Sequence, residues 1–341
     1  MSTKMIAIGI IAILLVTGIG VGVAASNNDS GDKGIDVVDG VGTKIHFDKP
    51  CETAVVFSKY IGEAMILMGG SDKVVGTTST IKKDTNYSKY YTNAKDLGLK
   101  TVGDTVISEI IKLKPDVIFS YKSSDNTALK GTGIPVVEIG ASKIVEVVDD
   151  ITVLGKVMGM EKEADKILDW FKPLYKNFEK EKEKSKTTFL MEAWSAKEQI
   201  SICKGSSTAG VLMKLAGMNN VYEEAGTTGS YIYPSAGDVI PKNPDVYIVQ
   251  TYNANWDKEQ IDAYYQKIIN RPGWSSMKCV EDKKVFFISN DIMGGIRSVI
   301  GAMCFMSFAE GDYSSENVVK MVNDYNKIAN TSFNPNLIIS Y

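Results

Sequence analysis

The sequence predicts an α/β protein of two similar lobes joined by one long helix, on three observations. Short apolar runs alternate with helix-like stretches on both sides of the middle of the chain, which implies parallel sheets covered on both faces. Each half contains an apolar run opened by Pro-Asp-Val, Pro115-Asp116-Val117 and Pro244-Asp245-Val246, entered from helices ending in Leu113-Lys114 and Lys242-Asn243. Between the halves, residues 142–184 read as two consecutive helices, the second a strut between the lobes.

In the first of these helices Ile144, Val147, Val148, Ile151, Leu154 and Met158 recur at three- and four-residue spacing and make one face apolar. Ser142 can cap its start, and Gly159 stands where a helix end favours a left-handed residue. In the second, Ala164, Ile167, Leu168, Phe171, Leu174, Tyr175 and Phe178 form the stripe, and the rest is mostly Glu, Lys and Asp. A helix over 161–184 is about 36 Å long at about 1.5 Å per residue. Pro173 predicts a kink, because proline removes a backbone donor and crowds the preceding turn. The pattern alone also fits an ordinary surface helix; the likeness of the flanking segments favours the strut.

Before the strut, residues 35–39 and 43–47 alternate as a hairpin around Gly40 and Gly42. Strands follow at 54–57, 74–78, 115–120 and 133–139, with helices over 60–68 and ending at 109–113. After it, strands fall at 187–192, 244–249 and 285–288, with helices at 207–215 and 298–308 and a helical tail at 315–329 packing back on the second lobe. The lobes thus span residues 35–141 and 187–341, with the helices of 142–186 between them.

The 341 residues, 44% hydrophobic and with a formal net charge of −3, can bury one large or two medium cores. The near-neutral balance and lack of a basic stripe argue against a nucleic-acid partner. Cys51, Cys203, Cys279 and Cys304 form no CxxC, which speaks for buried thiols over a cysteine metal site and leaves a Cys203–Cys279 disulfide open. Lys4 followed by the apolar run 5–25, with its small Val23-Ala24-Ala25 end and a polar spacer at 26–34, suits a signal peptide. The run is also long enough for an uncleaved membrane anchor, and the absence of a cysteine near its end excludes a lipid-anchored N-terminal cysteine. Either way, the remainder is expected outside the cytoplasmic membrane.

Several stretches fall in a recognisable order: VVFSKYIGEAMILMG at 55–69, KVVGT at 73–77, IKLKPDVI at 111–118, GIPVV at 133–137 and LGKVMG at 154–159. In the second half they are KLAGMNNV at 214–221, NPDV at 243–246, RPGW at 271–274 and KVFFI at 284–288. In these the chain resembles, over about residues 35–330, the class III substrate-binding proteins of ABC importers, the ferric-siderophore, haem and cobalamin branch. The resemblance implies two Rossmann-like lobes bridged by a single long helix, with the ligand in the cleft between them. It implies a permease and its ATPase as partners, a monomer, and only a modest hinge motion.

In open parallel sheets ligands bind beyond the C-terminal strand ends. The candidates there are Ser58, Lys59, Tyr60, Tyr121, Trp194, Tyr231, Tyr233 and Tyr252, aromatic and hydrogen-bonding residues suited to a large ligand; covering of core edges is the plainer reading of each tyrosine. Arg297, after Met293-Gly294-Gly295-Ile296 and at the start of an apolar helix, is the strongest candidate, since a guanidinium there can grip a carboxylate or catecholate. Family members carry an arginine at this helix start that often reaches the ligand. Its alternative is to tie the strand-to-helix loop.

The single histidine, His46, lies in the hairpin, so a histidine-rich zinc or manganese site is excluded and a haem would need Tyr, Met or Cys. A pre-chelated metal needs shape, aromatic walls and complementary charge, which favours an iron(III) chelate, with a corrinoid as the alternative and no resident cofactor. No Gly-x-Ser-x-Gly elbow or P-loop supports an enzyme. The resemblance further implies one permease-docking acid per lobe, seven residues before the Pro of Pro-Asp. Ser108 and Gly237 stand there, with Glu109 and Asp238 one residue later, a rotation of about 100° on a helix. Glu109 and Asp238 are the docking candidates, or simply acids favoured at helix starts.

Overall fold

The computed structural model describes residues 34–84, 86–98, 103–122, 126–180, 186–194, 199–223, 229–251, 258–311, 316–329 and 338–340. The expected leader lies outside the described residues, and among the described residues no helix is long and apolar enough to cross a membrane.

The first lobe opens with the hairpin β1 (Ile35–Val38) and β2 (Lys44–Phe47). Asp39 closes it, its Oδ1 accepting the N–H groups of Val41 at 3.1 Å and Thr43 at 2.8 Å, while Gly42 supplies the positive φ of 86°. Five parallel strands make the lobe's sheet: β3 (Ala54–Val56), β4 (Val74–Thr77), β5 (Lys95–Asp96), β6 (Val117–Ser120) and β7 (Val136–Glu138), in the order β5-β4-β3-β6-β7. Helices α1 (Lys59–Leu67), α2 (Ser79–Lys82), α3 (Asp104–Leu113) and α4 (Thr127–Lys130) connect them. Strands β3, β6 and β7 are buried at every position, as the continuous apolar runs of a doubly covered parallel sheet require.

Next come α5 (Val147–Met158) and α6 (Glu161–Lys180). Gly159 ends α5 with φ 63° as the sequence predicts, whereas the Ser142 hydroxyl meets Glu146 Oε2 at 3.2 Å, and a 3-10 turn over Ile144–Glu146 precedes the helix. A Cβ on Gly155 would stand 2.7 Å from that of Ala164, so glycine permits the close α5–α6 crossing. Helix α6 runs through Pro173, about 30 Å long at about 1.5 Å per residue. Its stripe of Ala164, Ile167, Leu168, Phe171 and Phe178 is buried. It packs against α1 of the first lobe and, in the second, against α11 (Ser298–Glu310), the position of a strut.

The second lobe is built on parallel β8 (Thr188–Ala193), β12 (Val246–Thr251) and β13 (Val285–Ser289), with β10 (Asn219–Asn220) parallel to β8. Short β9 (Ile202–Cys203) and β11 (Tyr231–Ile232) extend one edge antiparallel, and β14 (Ile338–Ser340) the other. Around them lie α7 (Thr208–Leu215), α8 (Ala236–Val239), α9 (Lys258–Ile269), α10 (Lys278–Glu281) and α12 (Glu316–Ala329), which packs on α11. The predicted fold class holds: α/β, with one main, largely parallel sheet in each lobe and a bridging helix.

One device recurs in both lobes. Asp116 Oδ2 accepts from Thr53 N at 2.8 Å and Thr53 Oγ1 at 3.1 Å; Asp245 Oδ2 accepts from Thr188 N at 2.8 Å and Thr188 Oγ1 at 2.9 Å. Each aspartate follows a proline and a residue of positive φ, Lys114 at 48° and Asn243 at 36°, so each Pro-Asp ties the start of its strand to the strand beside it. All four cysteines are buried free thiols, which closes the question of a Cys203–Cys279 bridge.

Candidate functional site

The parallel strands of each lobe end on a row of polar and aromatic residues. In the first lobe Ser58, expected at the ligand, is fully buried: its hydroxyl donates to Gly140 O at 2.8 Å and caps α1 by accepting from Ile61 N at 3.4 Å. It fixes the start of α1, which carries Lys59 and Tyr60. The Lys59 N–H donates to the Tyr121 hydroxyl at 3.3 Å, and the Lys59 ammonium lies 5.4 Å from the centroid of the Tyr60 ring. Burial pushes the Tyr60 phenol above its ordinary pKa, with neighbouring Tyr121 adding to the rise. Beside Tyr121, Lys122 pairs with Asp150 at 3.1 Å and Glu146 at 3.9 Å.

In the second lobe Ala193, Tyr231, Gln250, Thr251 and Asn290 surround a recess of about 40 Å³. The Gln250 amide donates to Asn290 Oδ1, and the Trp194 N–H donates to Gln250 O at 3.0 Å. Tyr231 and Tyr233, on and beside an edge strand, are 40% and 59% exposed. Tyr252 lies outside the described residues.

The lobes meet beneath these two walls. Lys59 Nζ stands 4.0 Å from Asp291 Oδ1, next in the chain to Asn290. Gly294 and Gly295 lie against Tyr60, where an added Cβ would come within 2.5 Å and 2.7 Å of the phenol. The structure therefore brings Lys59, Tyr60 and Tyr121 together and joins them, through Asp291, to the wall that holds Tyr231.

Arg297 is placed otherwise than expected. Its side chain is 2% exposed; Nε lies 2.8 Å from Glu63 Oε1 and Nη2 3.2 Å from Glu63 Oε2. The Tyr87 hydroxyl donates to Glu63 Oε2 at 3.0 Å and the Tyr325 hydroxyl donates to Oε1, closing a cluster of α1, α12 and the start of α11. Burial is the largest single influence and works against the guanidinium charge, but Glu63, Tyr87, Asp291 and Tyr325 together outweigh it and hold the pKa above its ordinary value. The expectation of a ligand grip is thus corrected: Arg297 ties the two lobes, close to its alternative role of anchoring a loop. Sequence reasoning missed Glu63. Its one signal was a carboxylate inside the otherwise apolar 61–68 run.

The description "Periplasmic binding protein" belongs to the family model that matches residues 54–292. The chain belongs to the periplasmic binding protein family. A curated relative, the uncharacterized ABC transporter substrate-binding lipoprotein YvrC of Bacillus subtilis (strain 168), is 28% identical over 243 residues, 68% of this chain and 70% of that protein. Among solved structures, the TroA-like periplasmic binding protein FepB of Veillonella parvula superposes with TM-score 0.74 at 18% identity, covering 90% of this chain and 99% of the other. The molybdate periplasmic binding protein MolA of Haemophilus influenzae gives TM-score 0.68 at 19% identity, covering 88% and 99%. A protein of the ABC-type Fe3+-hydroxamate transport system of Saccharomonospora viridis gives 0.62 at 18%, covering 81% and 99%. At these identities the structural likeness is one of fold. With the family match, it bears out the resemblance to class III binding proteins read from the sequence, and the protein is a solute-binding component of an ABC transporter.

In this periplasmic binding protein the two docking candidates differ in setting. Glu109 is the sixth residue of α3, paired with Lys112 at 2.8 Å and Lys95 at 3.4 Å, so it is not an acid at a helix start. Asp238 is at the start of α8, its Oδ2 accepting from Ser235 N at 3.0 Å and Ser235 Oγ at 2.7 Å. A second pair joins the half-buried Arg271 of the RPGW stretch to the buried Glu192 at 2.6 Å and 2.8 Å. Arg271 also lies 4.4 Å from the Trp274 centroid, and Gly273 turns at φ 81°.

Proposed function

We propose that the protein captures an iron(III) chelate between its lobes, outside the cytoplasmic membrane, and delivers it to an ABC permease with its ATPase. The observation that carries this reading is the make-up of the strand ends of the two lobes: Tyr60 and Tyr121 in the first, and Tyr231 with the neutral amides Gln250 and Asn290 in the second. These suit a bulky ligand shell better than a bare ion. His46 is exposed on the hairpin, 2.8 Å from Asp36, and no group of three or more metal-ligating side chains stands among the described residues. In this reading a metal held in the cleft arrives inside its own chelate. The hydroxamate-system neighbour supports iron; the molybdate protein shows that the fold also serves other cargo.

The role is binding without turnover, by a monomer with no resident cofactor. The curated relative is called a lipoprotein; here Cys51, the first cysteine, is buried in the first lobe, so residues 5–25 serve as signal peptide or anchor. Glu109 and Asp238 face the permease, one acid per lobe.

Native mass spectrometry and absorbance of protein purified from its source test the cargo: a ferric chelate is expected. A corrinoid spectrum would replace iron by the second reading, which the same aromatic walls favour. Reversing Glu109 and Asp238 together to Lys is expected to abolish uptake with ligand affinity unchanged. Uptake that survives would move docking elsewhere.

A further inference from the structure

Resting on the reading of the protein as a solute-binding component, we infer that Glu63 sets the cleft for a cargo without net negative charge by holding Arg297 in a buried ion pair. The helix start that would offer a guanidinium to an anion instead points it at a carboxylate: Arg297 and Glu63 side chains are each 2% exposed, joined at 2.8 Å and 3.2 Å, with Tyr87 and Tyr325 closing the cluster. The other cations at the strand ends are matched as well. Lys59 faces Asp291 at 4.0 Å, and Lys122 faces Asp150 at 3.1 Å and Glu146 at 3.9 Å. Lys204, beside the edge strand of Tyr231, is only 2% exposed. Arg297, Lys59 and Lys122 thus stand against four carboxylates, Glu63, Asp291, Asp150 and Glu146, Lys204 is closed off from solvent and Lys82 is taken up by the Tyr91 and Thr92 carbonyls, so these cations offer little charge to replace the water around an anion.

What the walls do present is neutral. Around the recess are the Gln250 and Asn290 amides, the Thr251 hydroxyl and the Tyr231 ring. Residues 195–198 and 252–257, outside the described residues, add one lysine and two acids by sequence, so they do not reverse the balance. A ferric tris-hydroxamate is neutral, three single negative charges on one iron(III), and a corrinoid carries its metal charge within its ring. A ferric tris-catecholate has the same bulk and a charge of −3. Size does not separate these guests; charge does.

The test is a titration of the full-length protein, by intrinsic fluorescence, with a neutral ferric tris-hydroxamate, a ferric tris-catecholate, a corrinoid and molybdate. Expected is a neutral guest bound at least thirtyfold tighter than either anion. Binding of the tris-catecholate or molybdate as tight as the best neutral guest would overturn the inference. Corrinoid binding alone would keep it and remove the iron reading; binding of none would remove both. In the Glu63→Gln protein the guanidinium loses its counter-charge, and the tris-catecholate is expected to bind at least tenfold tighter while the neutral guest is unaffected. A folded Glu63→Gln protein with unchanged preference would take Glu63 out of the specificity. Should that variant fail to fold, the wild-type panel decides alone.

Discussion

Replacing Arg297 by Met separates the two roles an arginine at this position can play. In the structure its guanidinium makes two bonds to Glu63 inside a cluster that is almost wholly closed to solvent. Methionine keeps most of the aliphatic volume but leaves the Glu63 carboxylate buried with only the Tyr87 and Tyr325 hydroxyls for partners. Removing one partner of a buried pair costs about 3–5 kcal/mol, because the remaining charge is uncompensated. For a chain of this size that is a fall in Tm of about 4–7 °C. Affinity for a neutral cargo should change less than about threefold. An arginine that gripped the ligand would behave in the opposite way, with Tm nearly constant and binding weaker by about 1.5–3 kcal/mol. The double variant Glu63→Leu, Arg297→Met removes both charges and should regain most of the lost stability. Thermal unfolding followed by circular dichroism, with ligand titration of the same samples, reads all of this. A Tm within about 1 °C of wild type, with at least tenfold weaker binding, would refute the interlobe role.

Three further outcomes follow from particular contacts. Burial would raise the Asp245 carboxyl, but Lys278 and the N–H and hydroxyl of Thr188 outweigh it and hold the pKa at about 2, against an ordinary 3.8. Because the folded pKa is the lower, the stabilisation is present above about pH 4 and fades as the pH falls through 2. Asp245→Asn should therefore cost about 2 kcal/mol at neutral pH and nothing near pH 1.5, measured by urea unfolding at several pH values. Gly294→Ala puts a methyl 2.5 Å from the Tyr60 ring and 2.8 Å from Ser142 O, so a loss of about 1–3 kcal/mol and at least tenfold weaker ligand binding are expected. Wild-type affinity in that variant would show that the cleft does not depend on the ring's position. Tyr231→Ala removes a ring that is 40% exposed at the recess; ligand affinity should fall about tenfold with Tm moved less than about 2 °C, and unchanged affinity would take Tyr231 out of the site.

The fold was legible because its signals are local or repeated. Unbroken apolar runs become the buried strands β12 and β13, the three- and four-residue spacing of the α6 stripe becomes its buried face, and the Pro-Asp pairs recur with the same bonds to Thr53 and Thr188. The edge strands were not: β9, β10 and β11 are two residues long, and β14 depends on an antiparallel partner contributed by β13. The site was half legible. The strand-end rule reaches Lys59, Tyr60, Tyr121 and Trp194 because chain direction in a parallel sheet fixes which end faces a cleft. It could not see that Ser58 turns inward to Gly140, or that Arg297 meets Glu63 across 234 positions of sequence, since no local pattern encodes which distant carboxylate an arginine will find.

That distant pairing also bears on how far the lobes can move. Helix α6 already packs on α1 and α11, one from each lobe. Glu63 lies on α1 and Arg297 immediately before α11, so the two helices held by the strut are joined a second time, and Tyr325 of α12 closes the same cluster. A wide hinge rotation would part Glu63 from Arg297 and lift Tyr60 off Gly294 and Gly295, exposing or orphaning charges whose separation costs several kcal/mol. A cargo of ordinary affinity has only about 8–12 kcal/mol of binding free energy in all, from micromolar to nanomolar Kd. Diverting several of those to opening and reclosing would leave a weak binder. On this argument the walls that hold Tyr121 and Tyr231 are set by the fold itself, and affinity comes from a cleft already formed rather than from closure around the guest.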